Sequence, residues 1–387
     1  MPDPEPVSPF DLQLDLGASD SLRWRHYRGR DVIPLWVADM DFRSPPCVVD
    51  ALAARVAHGV FGYASAHAEL REAITAYLAR AYGWKIDPEW LVFLPGVVSG
   101  LHAAVRGLTE PGQPVLMPRP VYHHLRLAAE QAPRPFAELP MVLDGGRWIL
   151  PWDELDRHVL PGTRLLMLAN PHNPGGTVFR RAELQQLADF CCRHDLLLCS
   201  DEIHAGLVLE TGLRHIPVAS LGREIGRRTV TLMSLSKTFN FAGCSLAWAV
   251  AEDAGLRRAL ARDLHATIPE PSLFGAVATL AALRDGEPWR QELLAYLRAN
   301  RDHLLARLSA LPGIRCDGLE ATYLAWLDCT ALGLDDPAAH FLAHGVALSP
   351  GRQFGQAGFA RLNFGVRRAL LDQALDRIAA AVTQLGP

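Results

Sequence analysis

The chain has 387 residues, a formal net charge of −4, 49% hydrophobic residues and 21% charged residues. This composition is ordinary for a soluble globular protein, excludes a disordered chain and gives no reason to expect a nucleic-acid partner. The length allows two or three domains with a sizeable core.

Among the basic residues, arginine greatly outnumbers lysine. Lys85 and Lys237 are the two lysines, beside 36 arginines. If the protein needs an amine nucleophile, one of these two must supply it. Lys85 lies in the polar stretch YGWKIDPEW, where a solvated side chain is expected, whereas Lys237 follows an apolar strand.

The seven cysteines are odd in number, scattered and without a CxxC pair, which argues against a disulfide framework or a zinc ribbon and favours a reducing compartment. The N-terminal MPDPEPVSPF has no basic start followed by an apolar run, and no apolar stretch reaches the roughly 18 residues of a membrane helix. We therefore expect a cytoplasmic protein without a membrane partner.

Between about residues 48 and 250, short apolar runs typical of buried strands alternate with helix-like stretches. The predicted helices are 48–58, 69–83, 99–108 and 181–194, and the predicted strands are 114–118, 164–170, 196–202, 229–234 and 246–252. This alternation predicts an α/β fold in which a mostly parallel sheet is covered by helices on both faces.

From about residue 283 the pattern changes to a long helix or helix pair, strands near 321–329 and 358–365, and a last helix from Ala369. We therefore predict three parts. Residues 1–47 form an N-terminal segment that packs on the small domain, 48–280 form the large domain, and 281–387 form a smaller α+β domain.

Ligands of such sheets bind beyond the carboxyl ends of the strands, and polar residues follow three predicted strands at 170–176, 200–204 and 234–237. In a partly desolvated pocket there, Lys237 could form a Schiff base and carry protons. Asp201 ends an apolar strand and needs a cationic partner, such as a protonated pyridine nitrogen. A helix cap or a buried salt bridge would explain Asp201 equally well.

Other residues at these strand ends suit a phosphorylated ring. Asn173 lies in a Pro/Gly turn and could donate to a ring oxygen, although turn chemistry alone would account for it. The backbone N–H groups of Val97 and Val98 open a predicted helix and could receive a phosphate dianion, and Ser234 and Ser236 add hydroxyl groups.

Taken together, these motifs resemble the pyridoxal-phosphate enzymes of the aspartate aminotransferase fold, called fold type I. The motifs are the GVV turn, Tyr122, NPHNPGG, SDEIH and SLSKTFNFAG, followed by Arg361 in FARLNFG. They occur in the family's order across most of the chain, with 28 residues from Asn173 to Asp201 and 36 from Asp201 to Lys237.

The resemblance implies pyridoxal 5′-phosphate as cofactor and a role for each matching residue. Lys237 would hold the cofactor as a Schiff base, with Asp201 at its ring nitrogen. Other implied cofactor contacts are Asn173 at the ring oxygen, Tyr122 stacked on the ring, His204 nearby, and Val97, Val98, Ser234 and Ser236 at the phosphate. Arg361 would bind the α-carboxylate of a small-molecule amino acid, and Trp36 could line the entrance, although a core role suits it as well. The protein would be a homodimer in which Tyr63 reaches the phosphate of the neighbouring subunit.

Two departures from the aminotransferase pattern indicate a branch of this family. Many aminotransferases place a phosphate-binding arginine eight residues after the lysine, where this chain has Ser245, and a tyrosine three residues after the aspartate, where it has His204. Both changes, together with the block PLWVADMDF and the stretches HGVFGY, TYLAWLDC and VALSPGRQFG, resemble the MalY/PatB-like C–S lyases, which are similar to cystathionine β-lyase.

The resemblance implies an α,β-elimination that cleaves cystathionine or another S-substituted L-cysteine to a thiol, pyruvate and ammonia. Lys237 would be the base, and His204 or Tyr63 would assist the leaving group. An aminotransferase on an L-amino acid stays open as the alternative, and a non-catalytic regulatory domain is less favoured. The histidines show no metal-binding spacing, and no GxGxxG opens a helix, so neither a metal nor a dinucleotide is expected.

Overall fold

The computed structural model describes residues 8–62, 68–265 and 271–385. Its helices are α1 (Leu22–His26), α2 (Pro46–His58), α3 (Ala68–Tyr82), α4 (Val97–Leu108), α5 (His123–Gln131), α6 (Arg181–Arg193), α7 (Arg223–Gly226), α8 (Ala254–Leu264), α9 (Leu273–Asp285), α10 (Glu287–Ser309), α11 (Pro337–Ala343) and α12 (Arg368–Thr383). Its strands are β1 (Ile33–Pro34), β2 (Leu91–Leu94), β3 (Val115–Arg119), β4 (Phe136–Pro140), β5 (Val142–Asp144), β6 (Arg147–Ile149), β7 (Leu165–Ala169), β8 (Leu197–Asp201), β9 (Thr229–Met233), β10 (Ala247–Val250), β11 (Leu324–Asp328), β12 (Val346–Ala347), β13 (Ser349–Pro350) and β14 (Phe359–Asn363). Short 3-10 helices lie at Pro88–Trp90, Leu155–His158, Val218–Leu221, Ala242–Cys244, Thr330–Leu332 and Gly351–Phe354.

A seven-stranded sheet with the order β2-β10-β9-β8-β7-β3-β4 carries the candidate site. The pairs are parallel except at β10, which runs antiparallel to both of its neighbours. The mostly parallel sheet with its covering helices confirms the predicted fold class. Strands β2 and β4 were not predicted from the sequence, because β2 has only four residues and β4 includes Glu138 and Pro140.

The three central strands β7, β8 and β9 are buried along their whole length. Parallel strands covered on both faces lose contact with water, so their sequences are nearly continuous apolar runs. Their carboxyl ends meet at one edge, where Ala169 pairs with Asp201 and Asp201 pairs with Leu232. This edge positions the polar residues that follow each strand.

Helix α4 begins at the same edge. Strands β2 and β9 are both antiparallel to β10, so β2 ends on the side where β9 ends, and α4 starts three residues later at Val97. Gly100 lets the helix approach the sheet closely, because a Cβ there would lie 2.8 Å from side-chain carbons of Leu94 and Leu232.

The antiparallel sheet β11-β14-β13 packs with α10, α11 and α12 around a second core. Most of the stretch predicted from about residue 283 as a long helix or helix pair is the single helix α10, and its first three residues are the end of α9, which meets α10 at Gly286. A Cβ at Gly286 would lie 2.6 Å from the carbonyl oxygen of Ala282, so a larger side chain does not fit at this junction. Pro288 then occupies the first turn of α10, where its missing N–H costs nothing.

The N-terminal segment is joined to this second sheet region and continues across the molecule. Strand β1 pairs in parallel with β12, and residues 35–42, here called the crossing segment, follow it. Asn240, after β9, and Asn363, at the end of β14, both hydrogen-bond to main-chain atoms of the crossing segment. The crossing segment therefore contacts both sheet regions.

Within the described ranges, no helix has the length and apolar character needed to span a bilayer. All seven cysteines fall inside these ranges, and each thiol is unbridged.

Candidate active site

Lys237 lies four residues beyond β9, at the carboxyl edge of the large sheet. Its Nζ donates a hydrogen bond to the carbonyl oxygen of Ala38 in the crossing segment at 2.6 Å. Burial is the main influence and lowers the pKa of the amine; Asp39 and Asp201 act in the opposite direction. Lys237 is thus a partly buried amine beyond the end of a strand.

Asp201 is the last residue of β8, and its side chain is buried. The carboxylate accepts a hydrogen bond from the backbone N–H of Ile203 at 3.1 Å. Burial raises the pKa of Asp201 to about 7, and the neighbouring Glu202 raises it further, whereas Lys237 lowers it. A buried carboxylate in this state is stabilised strongly by a cationic group bound beside it.

Arg361, in the middle of β14, is 5% exposed, and its charge acts on the pKa of Lys237 and of Tyr122. Its Nη1 donates to Asn173 Oδ1 at 3.0 Å and its Nη2 to the carbonyl oxygen of Trp36 at 3.1 Å. The guanidinium carbon lies 4.7 Å from the ring centre of Phe354. Burial lowers the pKa of Arg361 to about 10, so the guanidinium stays charged at neutral pH.

Tyr122 lies between these groups, immediately before α5. Burial raises its pKa to about 12, and the charges of Arg361 and Asp201 both act on it. The ring of His123 lies 4.8 Å from the Tyr122 ring. Burial lowers the pKa of His123 to about 4, with further lowering from His124 and Arg361, so this imidazole is neutral at physiological pH.

His204 follows β8 and is almost fully buried. Its ring centre lies 6.2 Å from that of Tyr323, and its Nδ1 is buried without a hydrogen-bond partner among the described residues. Burial lowers the pKa of His204 to about 3, and the positive charges of Lys237 and Arg361 contribute to the lowering. His204 is therefore a neutral imidazole with an unused polar atom at the site.

The residues predicted to bind phosphate lie at the same edge of the sheet. Val97 and Val98 are the first two residues of α4, and Gly96 before them provides no side-chain cap, so these N–H groups are available to an anion. Ser234 Oγ lies 3.0 Å from Ser236 Oγ and 2.7 Å from the carbonyl oxygen of Leu246.

Two further predicted residues need comment. Trp36 contacts Arg361 through its carbonyl oxygen, while its indole Nε1 is buried without a partner among the described residues. Tyr63 lies outside the described residues.

The structure adds residues to the site that were not singled out from the sequence. Tyr323 Oη donates to the Ala38 carbonyl oxygen at 2.9 Å, which is the same acceptor that Lys237 uses. Ser349 Oγ donates to the Trp36 carbonyl oxygen at 2.7 Å. Tyr323 lies in the stretch TYLAWLDC and Ser349 in VALSPGRQFG. Both stretches carried the resemblance to the C–S lyases, but neither indicated which of its side chains lies at the site.

These groups fit pyridoxal 5′-phosphate. A desolvated amine suits Schiff-base formation. Asp201, a buried carboxylate that a cationic group would stabilise, suits a protonated ring nitrogen. The unused Nδ1 of His204 and the open N-terminus of α4 suit ring oxygen and phosphate. The guanidinium of Arg361 suits a carboxylate.

Known proteins show the same architecture. The family model for aminotransferase class I and II matches residues 30–378. Cystathionine beta-lyase PatB of Bacillus subtilis is 35% identical, with 97% of this chain and 100% of that protein covered. The solved structure of OvoB is 46% identical with a TM-score of 0.94, covering 97% of this chain and 99% of that chain. The PLP-bound C-S lyase of Staphylococcus hominis is 29% identical with a TM-score of 0.89, covering 98% and 99%. The chain therefore belongs to the aminotransferase class I and II family, in its PatB-like branch of PLP-dependent C–S lyases.

Proposed function

We propose that this protein is a pyridoxal-phosphate-dependent C–S β-lyase that cleaves cystathionine or a related S-substituted L-cysteine to a thiol, pyruvate and ammonia. One observation carries the proposal: the buried Lys237 amine lies close enough to Asp201 and Arg361 for both charges to act on its pKa, while its Nζ donates to the carbonyl oxygen of Ala38. The branch of chemistry is supported by the full-length similarity to PatB, which is named a cystathionine beta-lyase.

Lys237 would hold the cofactor, and Asp201 would meet its ring nitrogen. Tyr122 would cover the ring, and the other residues that would hold it are Asn173, His204, Val97, Val98, Ser234 and Ser236. When bound there, pyridoxal phosphate supplies the electron sink that stabilises negative charge at the substrate α-carbon.

Arg361 binds the substrate α-carboxylate. Its Nη atoms now donate to Asn173 and to the Trp36 carbonyl, and its Nε has no partner among the described residues, so the fork has capacity for a carboxylate. Trp36 and the rest of the crossing segment border this position and limit the entry of water.

Lys237 takes the α-proton. Its pKa is lowered by burial, which increases the neutral fraction of the amine that can act as a base. The Cβ–S bond then breaks, and the electron pair leaves with sulfur. The remaining three-carbon fragment is released as aminoacrylate, which water hydrolyses to pyruvate and ammonia. Burial lowers the pKa of His204 to about 3, so its neutral imidazole can hydrogen-bond to the leaving group. His204 or Tyr63 would assist departure of the thiolate.

The proposal includes the assembly and the organisation of the chain. A homodimer in which Tyr63 reaches the partner's cofactor phosphate follows the family pattern, and the seven unbridged thiols suit the cytoplasm. The proposed parts are 1–47, 48–280 and 281–387. This division is supported by the location of the large sheet's strands between Leu91 and Val250 and of β11 to β14 after Leu324.

Incubation of the holoenzyme with L-cystathionine tests the reaction. We expect pyruvate and a free thiol in equal amounts without any added keto acid. Turnover that depends strictly on an added keto acid would identify an aminotransferase instead. Cofactor binding without turnover of any S-substituted cysteine or amino acid would indicate a non-catalytic domain.

A further inference from the structure

Glu202, the residue after Asp201, is a carboxylate sealed inside the protein. Its side chain is fully buried, as is that of His215 beside it. Glu202 Oε2 lies 2.6 Å from His215 Nε2, and Oε1 accepts hydrogen bonds from Ser200 Oγ at 2.8 Å and from the backbone N–H of Val218 at 3.1 Å. Neither Glu202 nor His215 has a place in the proposed reaction.

Glu202 and Asp201 face opposite sides of the sheet. Successive residues of a strand alternate in direction, so Ser200 and Glu202 share one face, as their hydrogen bond shows, while Asp201 points to the other. Asp201 thus faces Lys237 and Tyr122, and its negative charge raises the pKa of both groups. Glu202 faces the segment that carries His215. The two carboxylates lie back to back at the end of β8.

The contacts of Glu202 assign its charge. Ser200 Oγ and the backbone N–H of Val218 both donate to it, and donors to a carboxylate favour the ionised form. His215 Nδ1 is buried without a partner among the described residues, so a proton there would be an unsatisfied buried donor. The geometry therefore assigns a neutral His215, with its proton on Nε2, and an anionic Glu202.

Beside this anion lies the Tyr77–Tyr82 pair, on which the charges of Arg290, Glu287 and Arg80 also act. The ring of Tyr82 packs edge-on against His215 at 5.4 Å, and Tyr82 Oη pairs with Tyr77 Oη at 3.0 Å. Burial is the main cause of the raised pKa of both Asp201 and Tyr82, and the negative charge of Glu202 acts in the same direction on each.

We propose that Glu202 is a positioning residue for the proton that Asp201 and the cofactor ring share: a permanently buried anion, held by Ser200, Val218 and His215, whose negative charge raises the proton affinity of this pair on the opposite face of the sheet. This inference rests on the proposed function for the role of Asp201. Its chemical basis is that a fixed negative charge in a poorly polarisable interior raises the proton affinity of nearby groups.

The test compares the variant E202Q with H215Q as matched control. E202Q removes the charge and keeps an oxygen for Ser200 and Val218, whereas H215Q keeps both the charge and a donor to it. Each holoenzyme is titrated with pH, and the near-visible absorbance of the cofactor–lysine adduct is recorded. Cofactor affinity and thermal stability are measured on the same samples.

We expect the midpoint of this titration to fall by roughly half a unit to one unit in E202Q, with kcat reduced roughly ten-fold and KM little changed, and to stay at the wild-type value in H215Q. An unchanged midpoint in cofactor-loaded E202Q would overturn the proposal.

If E202Q does not retain the cofactor, the double variant E202Q/H215Q replaces it and is compared with H215Q, because two side-chain amides can hydrogen-bond to each other. A fall of the midpoint in the double variant supports the proposal. Failure of both charge-removing variants to bind the cofactor, while H215Q binds it, would show that Glu202 is only structural and would also overturn the proposal. The titration needs no turnover, so a wild-type enzyme that releases no pyruvate contradicts the proposed function separately.

Discussion

Lys237 Nζ donates a hydrogen bond to the carbonyl oxygen of Ala38, which lies 199 residues earlier in the chain. Tyr323 Oη donates to the same oxygen from the second sheet region. One carbonyl of the crossing segment thus receives donors from both sheet regions. The N-terminal part of the chain is therefore a wall of the site that contains Lys237.

Replacing Lys237 with alanine tests the foundation of the proposed chemistry. Without the amine there is neither a covalent link to the cofactor nor a base, so we expect the near-visible absorbance to disappear and kcat to fall by roughly a thousand-fold or more. The matched control is Lys85→Ala, since Lys85 is the other lysine and is exposed. Retention of the absorbance and of turnover in Lys237→Ala would contradict the proposal.

Asn363 is expected to matter for both stability and substrate binding. Its Nδ2 donates to the carbonyl oxygens of Val37 and Asp39 at 2.6 and 2.5 Å and so holds the crossing segment. Asn363→Ala leaves these carbonyls without their donor, which should cost about 3 kcal/mol in the free energy of unfolding and raise KM. Chemical denaturation and steady-state kinetics measure both effects. Gln185→Ala, on an exposed helix face, should change neither.

The substitution Arg361→Lys separates charge from geometry. An ammonium keeps the positive charge but cannot present two parallel donors to a carboxylate, so we expect KM to rise roughly 10- to 100-fold with a smaller change in kcat. The control is Arg377→Lys, because Arg377 pairs with the exposed Asp31. Equal kinetics for Arg361→Lys and the wild type would argue against carboxylate binding at this residue.

The stability of the cofactor-free protein should depend on pH through Asp201. Its pKa in the folded protein is raised to about 7 from an ordinary value of 3.8. A raised carboxyl pKa means that its favourable contribution is complete below about pH 4 and is lost as the pH rises through about 7. Melting temperatures of the apoprotein should therefore fall across this interval more steeply than those of apo Asp201→Asn. Parallel curves for the two proteins would contradict the assignment.

The choice between Tyr63 and His204 as proton donor can be made with substrates of different leaving-group basicity. Because neutral His204 is expected to orient the leaving group, His204→Gln should reduce kcat by a similar factor for every thiol. Tyr63→Phe should slow substrates with strongly basic thiolates most, since these need protonation. A reversed pattern in the two variants would make His204 the donor.

The large sheet could be predicted from the sequence because parallel strands buried on both faces leave long apolar runs, as at β7 and β8. The candidate residues Asp201 and Lys237 could be recognised for the same reason, since charged residues at or shortly after the end of such a run are unusual. The short β2 and the mixed β4 lack that pattern and were missed.

Local pattern alone determined the type of fold and the resemblance to PLP enzymes, and it indicated Lys237 as the candidate amine. Only the tertiary structure decided which residues meet. Ala38 contacts Lys237 through a main-chain oxygen, which carries no sequence signal. His215 reaches Glu202 from 13 residues away by folding of an irregular segment. Hydrogen bonds between distant segments depend on the packing of the whole chain. A buried strand, by contrast, can be recognised from the apolar pattern of a few consecutive residues.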